Sequence, residues 1–270
     1  MQIFRLFLLV FSALAVFGIT ACAPPAPSTV PAAPAPLSEW QVVDLTQPLF
    51  PGMPIWPGDP EFEVDAWATY EEDYYFINRI AIGEHSGTHW GTPNTFIKGA
   101  RSAEQIPAEE LVMPAVVIDL RDKTAEDADY RLSVDDVTAW EAELGRIPDG
   151  SAVVLLTGWQ DKWGDADAYI GLDADGVMHW PGFGADTVEF LIGERGIVAI
   201  GTDTHGADPG NDEEFGASFA MYDADGAILE GLANLDKIPP IGATLVVGGW
   251  PIVGGSGSPA RVLAFIPPSQ

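Results

Sequence analysis

Short apolar runs bounded by proline, glycine or aspartate recur along the chain from residue 42 onward. Several of them are continuous rather than alternating, which is typical of strands buried on both faces of a sheet. Two stretches between them have helical spacing: 133–144, with Ser133 as the predicted N-cap, and 185–194, which stops near Gly196. Strands that alternate with helices predict an α/β domain with a mixed sheet. The predicted strands are 42–45, 80–82, 115–120, 152–156, 197–200 and 244–247.

The first 22 residues have the features of an export signal. Residues 1–21 carry one positive charge, Arg5, followed by an apolar run too short to cross a bilayer comfortably and then by small residues. The sequence Ile-Thr-Ala-Cys at 19–22 resembles a bacterial lipobox, in which cleavage leaves a multiply acylated cysteine that anchors the protein to the membrane. We therefore expect an exported cell-envelope lipoprotein lipidated on Cys22, periplasmic or on the outer surface. The alternative is an uncleaved apolar anchor, which is also exported.

A proline- and alanine-rich stretch without charge follows the predicted lipidation site. Such a composition predicts a semi-rigid, extended tether over residues 22–38. From residue 39 the composition is globular, without an internal repeat or a second linker. We therefore predict three parts: a signal peptide at 1–21, the lipidated tether at 22–38, and a single domain at 39–270.

The charge balance narrows the classes of partner. Against 40 acidic residues the 270-residue chain has 12 lysines and arginines, which gives a formal net charge of −28. Such a surface repels phosphate backbones, so we expect no nucleic-acid partner. The single cysteine excludes an intramolecular disulfide, a cysteine-based zinc cluster and an iron–sulfur site.

Candidate chemistry concentrates in residues 84–93, where two of the four histidines lie four residues apart. On a tight turn this spacing brings the side chains of His85 and His89 within about 6 Å, close enough to chelate one ion. Gly87 permits such a turn, and Pro93 prevents a long helix after it. Imidazole ligands favour zinc, manganese or a similar ion. The alternative is a polar loop in which both histidines only form hydrogen bonds.

The sequence His-Ser-Gly-Thr-His at 85–89 resembles the opening of the signature of the metal-dependent cyclase family, which includes bacterial kynurenine formamidases and isatin hydrolases. Further segments agree with family landmarks in the same order and cover nearly all of the chain after the tether. They are 44–46, 56–59, 117–119, 157–159, 181–183, 201–204, 229–235 and 255–261.

The resemblance implies a mixed-sheet, swivelling β/β/α domain that assembles as a homodimer or a larger homo-oligomer. It also implies hydrolysis of a small amide or cyclic acyl substrate by metal-activated water, with arylformamidase activity of the N-formylkynurenine type as the best-known example. Residue by residue, it makes His85 and His89 metal ligands, Trp56 a substrate-side aromatic residue, and Glu230 a ligand that can bridge two metals.

The family pattern then breaks. Gly91 stands at the position of the metal-bridging aspartate, and Thr95 stands at the position of the acid/base histidine. A further histidine ligand of the family falls near Ser218 and Phe219, and neither side chain can replace it. The resemblance therefore leaves a conventional two-metal site in doubt.

His205 lies in a segment that borders the active site in this family and offers a replacement. We predict one divalent metal per chain, zinc or manganese, held by His85, His89 and His205, or by the first two with Glu230. The metal would activate a water and polarise the scissile carbonyl. Glu230, if it is not a ligand, and Glu84 are the candidates for the base.

Each of these residues also has a structural interpretation. Glu230 can cap a helix or form an ion pair, His205 can hydrogen-bond its own loop, and Trp56 can be part of the core. The protein as a whole has a matching alternative, a family member that has lost catalysis and serves as an exported ligand-binding lipoprotein.

Overall fold

The structure, a computed structural model, describes residues 36–268, so the predicted signal peptide, Cys22 and most of the predicted tether lie outside the described residues. The last predicted tether residues form a short 3-10 turn, Leu37–Glu39. The strands are β1 (Gln41–Asp44), β2 (Glu63–Ala68), β3 (Ile77–Ala81), β4 (His89–Gly91), β5 (Val112–Asp119), β6 (Arg131–Leu132), β7 (Ala152–Leu156), β8 (Gly182–Phe183), β9 (Ala199–Thr202), β10 (Ala227–Glu230), β11 (Ile241–Gly249) and β12 (Gly257–Ile266). The α-helices are α1 (Tyr70–Asp73), α2 (Arg121–Thr124), α3 (Val134–Leu144), α4 (Ala166–Ile170), α5 (Ala185–Arg195) and α6 (Gly216–Asp223).

An eight-stranded mixed sheet forms the centre of the molecule, in the order β1-β12-β11-β5-β7-β9-β10-β4. β5, β7, β9 and β10 run parallel to one another. Every residue of β7 and β9 is buried, as their continuous apolar sequences predict. The predicted α/β class with a mixed sheet is confirmed, and all six predicted strands overlap observed ones.

The sheet closes into a barrel through its shortest strand. β4 pairs with β10 on one side and with β12 on the other, so the two ends of the strand order meet there. One apolar cluster fills the interior of this barrel and includes Trp90, Val154 and Leu229. A second cluster lies between the outer face of the sheet and helices α3, α5 and α6.

The two predicted helices are present with the predicted ends. The Ser133 hydroxyl accepts a hydrogen bond from the Asp136 backbone N–H, and the Asp136 carboxylate accepts one from Ser133, which completes a capping box at the start of α3. α5 ends at Gly196, whose φ of +64° is the left-handed conformation that glycine supplies at helix ends.

One predicted strand has a different environment from the one expected. The apolar run at 80–82 predicts burial, but β3 pairs only with β2 in a separate two-stranded sheet, and Ile77 and Ile80 are exposed. Among residues 36–268, no helix is long and apolar enough to cross a membrane.

Candidate active site

A cavity of about 280 Å³ opens where β9 and β10 end, next to β4. The carboxyl ends of parallel strands are the usual place for ligands in α/β sheets, because the following loops diverge there. Aromatic rings form much of its wall, and polar side chains form its floor. The lining includes Trp56, Asp59, His85, Thr95, Phe96, Trp180, His205, Asp208, Phe215, Ser218, Tyr222 and Glu230.

The turn predicted between the two histidines is present. Gly87 has a φ of +66°, and a Cβ at this position would collide with the side chain of Leu49. The turn brings the rings of His85 and His89 to a centroid separation of 5.2 Å. Glycine favours this left-handed conformation and leaves room for Leu49, which explains its place between the two histidines.

Strand pairing brings His89 and Glu230 together. His89 in β4 stands directly opposite Glu230 in β10, so both side chains leave the same face of the sheet. His89 Nε2 lies 2.8 Å from Glu230 Oε2. This contact is an ion pair when His89 is protonated, and apart from it the buried His89 Nε2 has no hydrogen-bond partner. His89 Nδ1 lies 2.9 Å from the Gly87 carbonyl oxygen and donates to it.

The electrostatics of this pair follow from its contacts. Burial lowers the pKa of His89, but the adjacent Glu230 carboxylate outweighs burial and raises the pKa overall. Burial raises the pKa of Glu230, yet His89, with smaller contributions from His205 and His85, brings the pKa below its ordinary value. The carboxylate is therefore held ionised beside an imidazole that is readily protonated.

His85 is oriented away from this pair. Its Nε2 lies 2.8 Å from the Ser256 hydroxyl, which is 2.7 Å from Glu84 Oε2. A carboxylate only accepts, so Ser256 donates to Glu84 and accepts from His85 Nε2–H. Burial, with a smaller contribution from the charge of His89, lowers the pKa of His85 to about 4. Glu84 is not among the residues that line the cavity, so the geometry gives it the role of holding Ser256 rather than that of a base.

The other predicted site residues lie on the cavity wall. The Trp56 ring packs edge-on against Trp180 and His205, at centroid distances of 5.5 Å and 5.7 Å. The His205 ring is stacked on Trp180 and is 6.5 Å from the His89 ring, centroid to centroid. Trp56 is thus displayed at the cavity, as its proline- and glycine-rich segment predicts, and its substrate role stays a prediction.

The positions at which the family pattern breaks also meet here. A Cβ on Gly91 would collide with the Tyr222 hydroxyl and would lie 3.4 Å from Thr95 Oγ1. Tyr222, which is hydrogen-bonded to Thr95, therefore fills the space that a longer side chain at position 91 would need. Ser218 lines the cavity but donates its hydroxyl hydrogen to Asp208. The neutral hydroxyls of Tyr222, Thr95 and Ser218 thus stand where the resemblance implies one carboxylate and two imidazoles.

The donor atoms at the cavity have the chemistry of a zinc or manganese site. His89 Nε2 lies 2.8 Å from a Glu230 carboxylate oxygen and has no other partner, so His89 and Glu230 fit a divalent ion as two of its ligands. Within residues 36–268, however, no three histidine, cysteine, aspartate or glutamate side chains are arranged to hold a metal. Neither predicted triad, His85 and His89 with His205 or with Glu230, is assembled in the structure.

Tyr222 is the functional candidate that sequence reasoning missed. It lies four residues after Ser218 in α6, so both residues face the same side of the helix. The break in the family pattern at 218 could have directed attention to this face of α6. Phe96 and Phe215, which line the cavity with it, have no sequence signal that distinguishes them from core residues.

Comparison with known proteins places this arrangement among hydrolases. The model of the putative cyclase family matches residues 43–209. An isatin hydrolase from Roseibium aggregatum is 35% identical over 85% of this chain and 93% of its own, and a kynurenine formamidase from Erythrobacter litoralis is 30% identical over 75% and 83%. The solved structure of isatin hydrolase A from Ralstonia solanacearum has 36% identity and a TM-score of 0.80, over 85% of this chain and 93% of that one.

A more distant solved structure, described as a potential metal-dependent hydrolase with cyclase activity, has 24% identity and a TM-score of 0.65, over 85% of this chain and all of that one. At this identity the likeness concerns the fold alone. The two sequence relatives, by contrast, are similar to this chain over most of its length, and both belong to the enzyme types that the resemblance predicts. The chain belongs to the putative cyclase family, whose relatives include isatin hydrolases and kynurenine formamidases that act on amide bonds.

Proposed function

We propose that this protein hydrolyses a small aromatic amide, either a linear N-formyl aryl amine of the N-formylkynurenine type or a cyclic aryl amide such as isatin. The observation that carries this proposal is the His89–Glu230 pair, in which Glu230 lines an aromatic cavity and the buried His89 lies 2.8 Å from its carboxylate. The names of the two sequence relatives, isatin hydrolase and kynurenine formamidase, support the same substrate class.

The cavity walls suit a flat aromatic substrate. Trp56 and Phe215 pack with ring centroids 6.1 Å apart, and Phe96 lies 5.5 Å from Phe215, so three rings offer faces and edges to an entering one. A volume of about 280 Å³ admits one or two fused rings with a short substituent. Binding the ring here presents its amide bond to the polar floor, where Glu230 and Tyr222 stand.

Hydrolysis adds water to the amide carbonyl carbon, breaks the C–N bond and leaves a proton on the departing nitrogen. Glu230 is held ionised and can accept a proton from the water, and His89 can deliver one to the nitrogen. The Tyr222 hydroxyl, whose pKa is raised by burial, stays protonated and donates a hydrogen bond to the carbonyl oxygen.

We propose one divalent metal per chain, zinc or manganese, with His89 and Glu230 as two ligands and either His85 or His205 rotated to supply the third. When bound, such an ion lowers the pKa of a water and polarises a carbonyl. If Glu230 binds the metal, it does not act as the base that accepts the proton. The experiment below distinguishes these two roles of Glu230.

The test measures metal per chain and the hydrolysis of isatin and N-formylkynurenine, on full-length protein purified without a chelator or a histidine tag. In Glu230→Gln we expect kcat/KM to fall about 10²- to 10⁴-fold. If Glu230 is a ligand, the variant also loses its metal, whereas a base that does not bind the ion leaves the metal in place. Glu189→Gln, at an exposed position of α5, is the matched control.

The residues at which the family pattern breaks favour a second candidate function, ligand binding without catalysis. Gly91, Thr95 and Ser218 carry no titratable side chain, and a cavity of this kind can bind an aromatic ligand without turning it over. Binding of isatin with no hydrolysis at any metal concentration would move the proposal to an exported ligand-binding protein.

We propose in addition that the mature protein is a cell-envelope lipoprotein anchored by Cys22. The support is the lipobox-like sequence at 19–22 and the proline-rich stretch after it. Mass spectrometry of the N-terminal peptide from membranes should find a diacylglyceryl group and acyl chain on Cys22. Retention of the uncleaved residues 1–21 would contradict it.

A further inference from the structure

A second cavity, of about 300 Å³, opens at the end of the barrel opposite the candidate active site. It lies where the parallel strands begin, because Gly150 precedes β7, Ala199 starts β9 and Ala227 starts β10. We call it the base cavity. Its wall includes four side chains of the apolar cluster inside the barrel, Trp90, Leu111, Met113 and Leu229.

The interior of the base cavity offers no free polar group. Trp90 Nε1 donates to the Ser258 hydroxyl at 3.0 Å, and the Thr92 hydroxyl donates to the Ser256 carbonyl oxygen at 2.9 Å. Within residues 36–268, no residue that lines this cavity has a buried side-chain polar atom without a hydrogen-bond partner. Ordered water needs two to four polar partners, whereas an apolar cavity takes up apolar molecules. The interior therefore suits an apolar ligand better than water.

The charges at the mouth of the base cavity are already paired. Arg101 donates from Nε to Asp225 at 2.7 Å and from Nη1 to Glu110 at 2.9 Å. With Glu109, three carboxylates stand around one guanidinium, and this excess of negative charge repels an anionic ligand. A cation would find no acceptor in the interior. The ligand that fits is therefore neutral.

The size and the wall of the base cavity favour an aromatic ligand. An apolar cavity of about 150 Å³ holds benzene, so about 300 Å³ admits one or two fused rings. The Trp90 ring and the Met113 thioether are in the wall, and both make favourable contacts with aromatic rings. Protein interiors contain few voids larger than a water molecule, because the side chains around an empty volume lose their packing contacts. A bound ring restores those contacts.

The base cavity is separate from the candidate active site although the same two strands border both. Trp90 in β4 stands opposite Leu229 in β10, and the next pair along is His89 opposite Glu230. Successive residues of a strand point to opposite faces, so Trp90 and Leu229 face the base cavity, whereas His89 and Glu230 face the other side. A molecule cannot pass between the two cavities without separating paired strands.

We propose that the base cavity is a second ligand site, which binds a neutral aromatic molecule of one or two fused rings independently of the candidate active site. Its interior presents apolar side chains and polar groups that are already hydrogen-bonded, so the ligand is bound and not transformed. The proposal does not depend on the proposed hydrolase activity.

The test is nuclear magnetic resonance of the full-length protein labelled with ¹³C in its methionine methyl groups, with indole as the probe. Met113 lines the base cavity, whereas Met178 packs in the cluster that contains Trp56 and Trp180, next to the active-site cavity. Indole should shift the Met113 signal saturably through its ring current and leave the Met178 signal in place. Met113→Leu assigns the signal.

Variants of matched size locate the bound probe. Ala227→Leu fills part of the base cavity from a partly buried position and should raise the dissociation constant of indole about 10-fold or more. Ala142→Leu, at an exposed position of α3, is the matched control and should leave it unchanged. Phe96→Ala opens the wall of the active-site cavity and should also leave it unchanged. Leu111→Trp is the second filling variant, and circular dichroism confirms the folding of each protein.

The charge of the ligand is tested with two probes of equal size. Indole-3-carboxylate should bind about 10-fold or more weakly than indole-3-carboxamide, because only the first is repelled by the carboxylates of the mouth. Equal affinities would overturn the assignment of a neutral ligand. A Met113 signal that stays unmoved, indole binding that persists in both filling variants, or binding that is lost in Phe96→Ala would overturn the site itself.

Discussion

Two carboxylates stand at the ends of neighbouring parallel strands, and their surroundings differ. Asp203 follows β9, has no exposed surface, and accepts hydrogen bonds from Thr157 N–H and O–H and from the backbone N–H groups of Gly158 and Gln160, at 2.6–3.3 Å. Glu230 ends β10, has a side chain 17% exposed to the cavity, and accepts one backbone hydrogen bond, from Ala207 at 3.0 Å.

The difference separates an acid that is used up in holding its own loop from one that remains accessible at the cavity. Burial raises the pKa of Asp203 to about 6 against the opposing effect of its hydrogen bonds, whereas His89 lowers the pKa of Glu230 despite burial. Every oxygen of Asp203 is already occupied by the loop it holds. Glu230 accepts only one backbone hydrogen bond, its other oxygen faces His89, and its side chain lines the cavity, so it is the acid that can still act on a ligand.

The largest expected effect comes from replacing each of the two acids, Asp203 and Glu230, by alanine and comparing the losses of stability. Asp203→Ala leaves three backbone N–H groups and one hydroxyl without their acceptor in the interior, so we expect it to lower the free energy of unfolding by about 3–5 kcal/mol. Glu230→Ala should cost about 1 kcal/mol or less, because His89 can lose its proton and Ala207 lies next to the cavity. Urea denaturation measures both, and equal losses would contradict the distinction.

A smaller effect tests how tightly the side of the cavity next to Glu230 is packed. Gly91→Ala places a methyl group against the Tyr222 hydroxyl, and we expect a loss of about 2 kcal/mol in the free energy of unfolding. Removing the hydroxyl in Tyr222→Phe should relieve most of that loss. A double-mutant cycle by urea denaturation should find a coupling of about 1.5 kcal/mol, and strictly additive losses would show that the two groups do not meet.

The smallest expected effect concerns a third carboxylate, Glu141 in α3, which forms an ion pair with Arg195 in α5. Glu141 accepts hydrogen bonds from Arg195 at 2.7 and 2.8 Å. These bonds lower the pKa of Glu141 more than burial raises it, so the pKa lies below its ordinary value of 4.5. A carboxylate with a lowered folded-state pKa stabilises the protein above the unfolded value and loses that contribution as the pH falls through the folded one.

Glu141→Gln should therefore cost about 1 kcal/mol at pH 7, and the difference from the wild type should shrink toward zero below pH 4.5. Chemical denaturation at a series of pH values measures it. A difference that stays constant across this range would mean that packing of the side chain, rather than the ion pair, is what stabilises the helix contact.

The sequence was sufficient to predict much of the fold because the core strands are continuous apolar runs and the helix ends carry specific capping residues. β7 and α3 illustrate the two signals. β3 shows the limit, since three apolar residues in a row predict a strand and do not determine whether anything covers it. β12 escaped prediction because its sequence opens with glycine, serine and proline, and its place in the sheet comes from pairing with three other strands.

The candidate site was predicted in part for a similar reason. The proximity of His85 and His89 could be predicted because the two residues are only four positions apart and a turn between them brings their side chains together. The contact of His89 with Glu230 spans 141 positions and depends on strand register, which no local pattern encodes. The filling of the space at Gly91 by Tyr222 depends on how α6 packs over the sheet, and the absence of an assembled metal triad follows from side-chain directions.

The three-residue strand β4 has a consequence for how this protein can change over time. On one face it places His89 beside Glu230 and Gly91 beside Tyr222, on the other it buries Trp90 in the barrel, and both of its edges are paired. Inserting or deleting one residue here would exchange the two faces and would put the indole in the cavity and the imidazole in the core. Substitution can therefore change the chemistry at these positions without disturbing the register, whereas a change of length within β4 would exchange the cavity side and the core side of the strand.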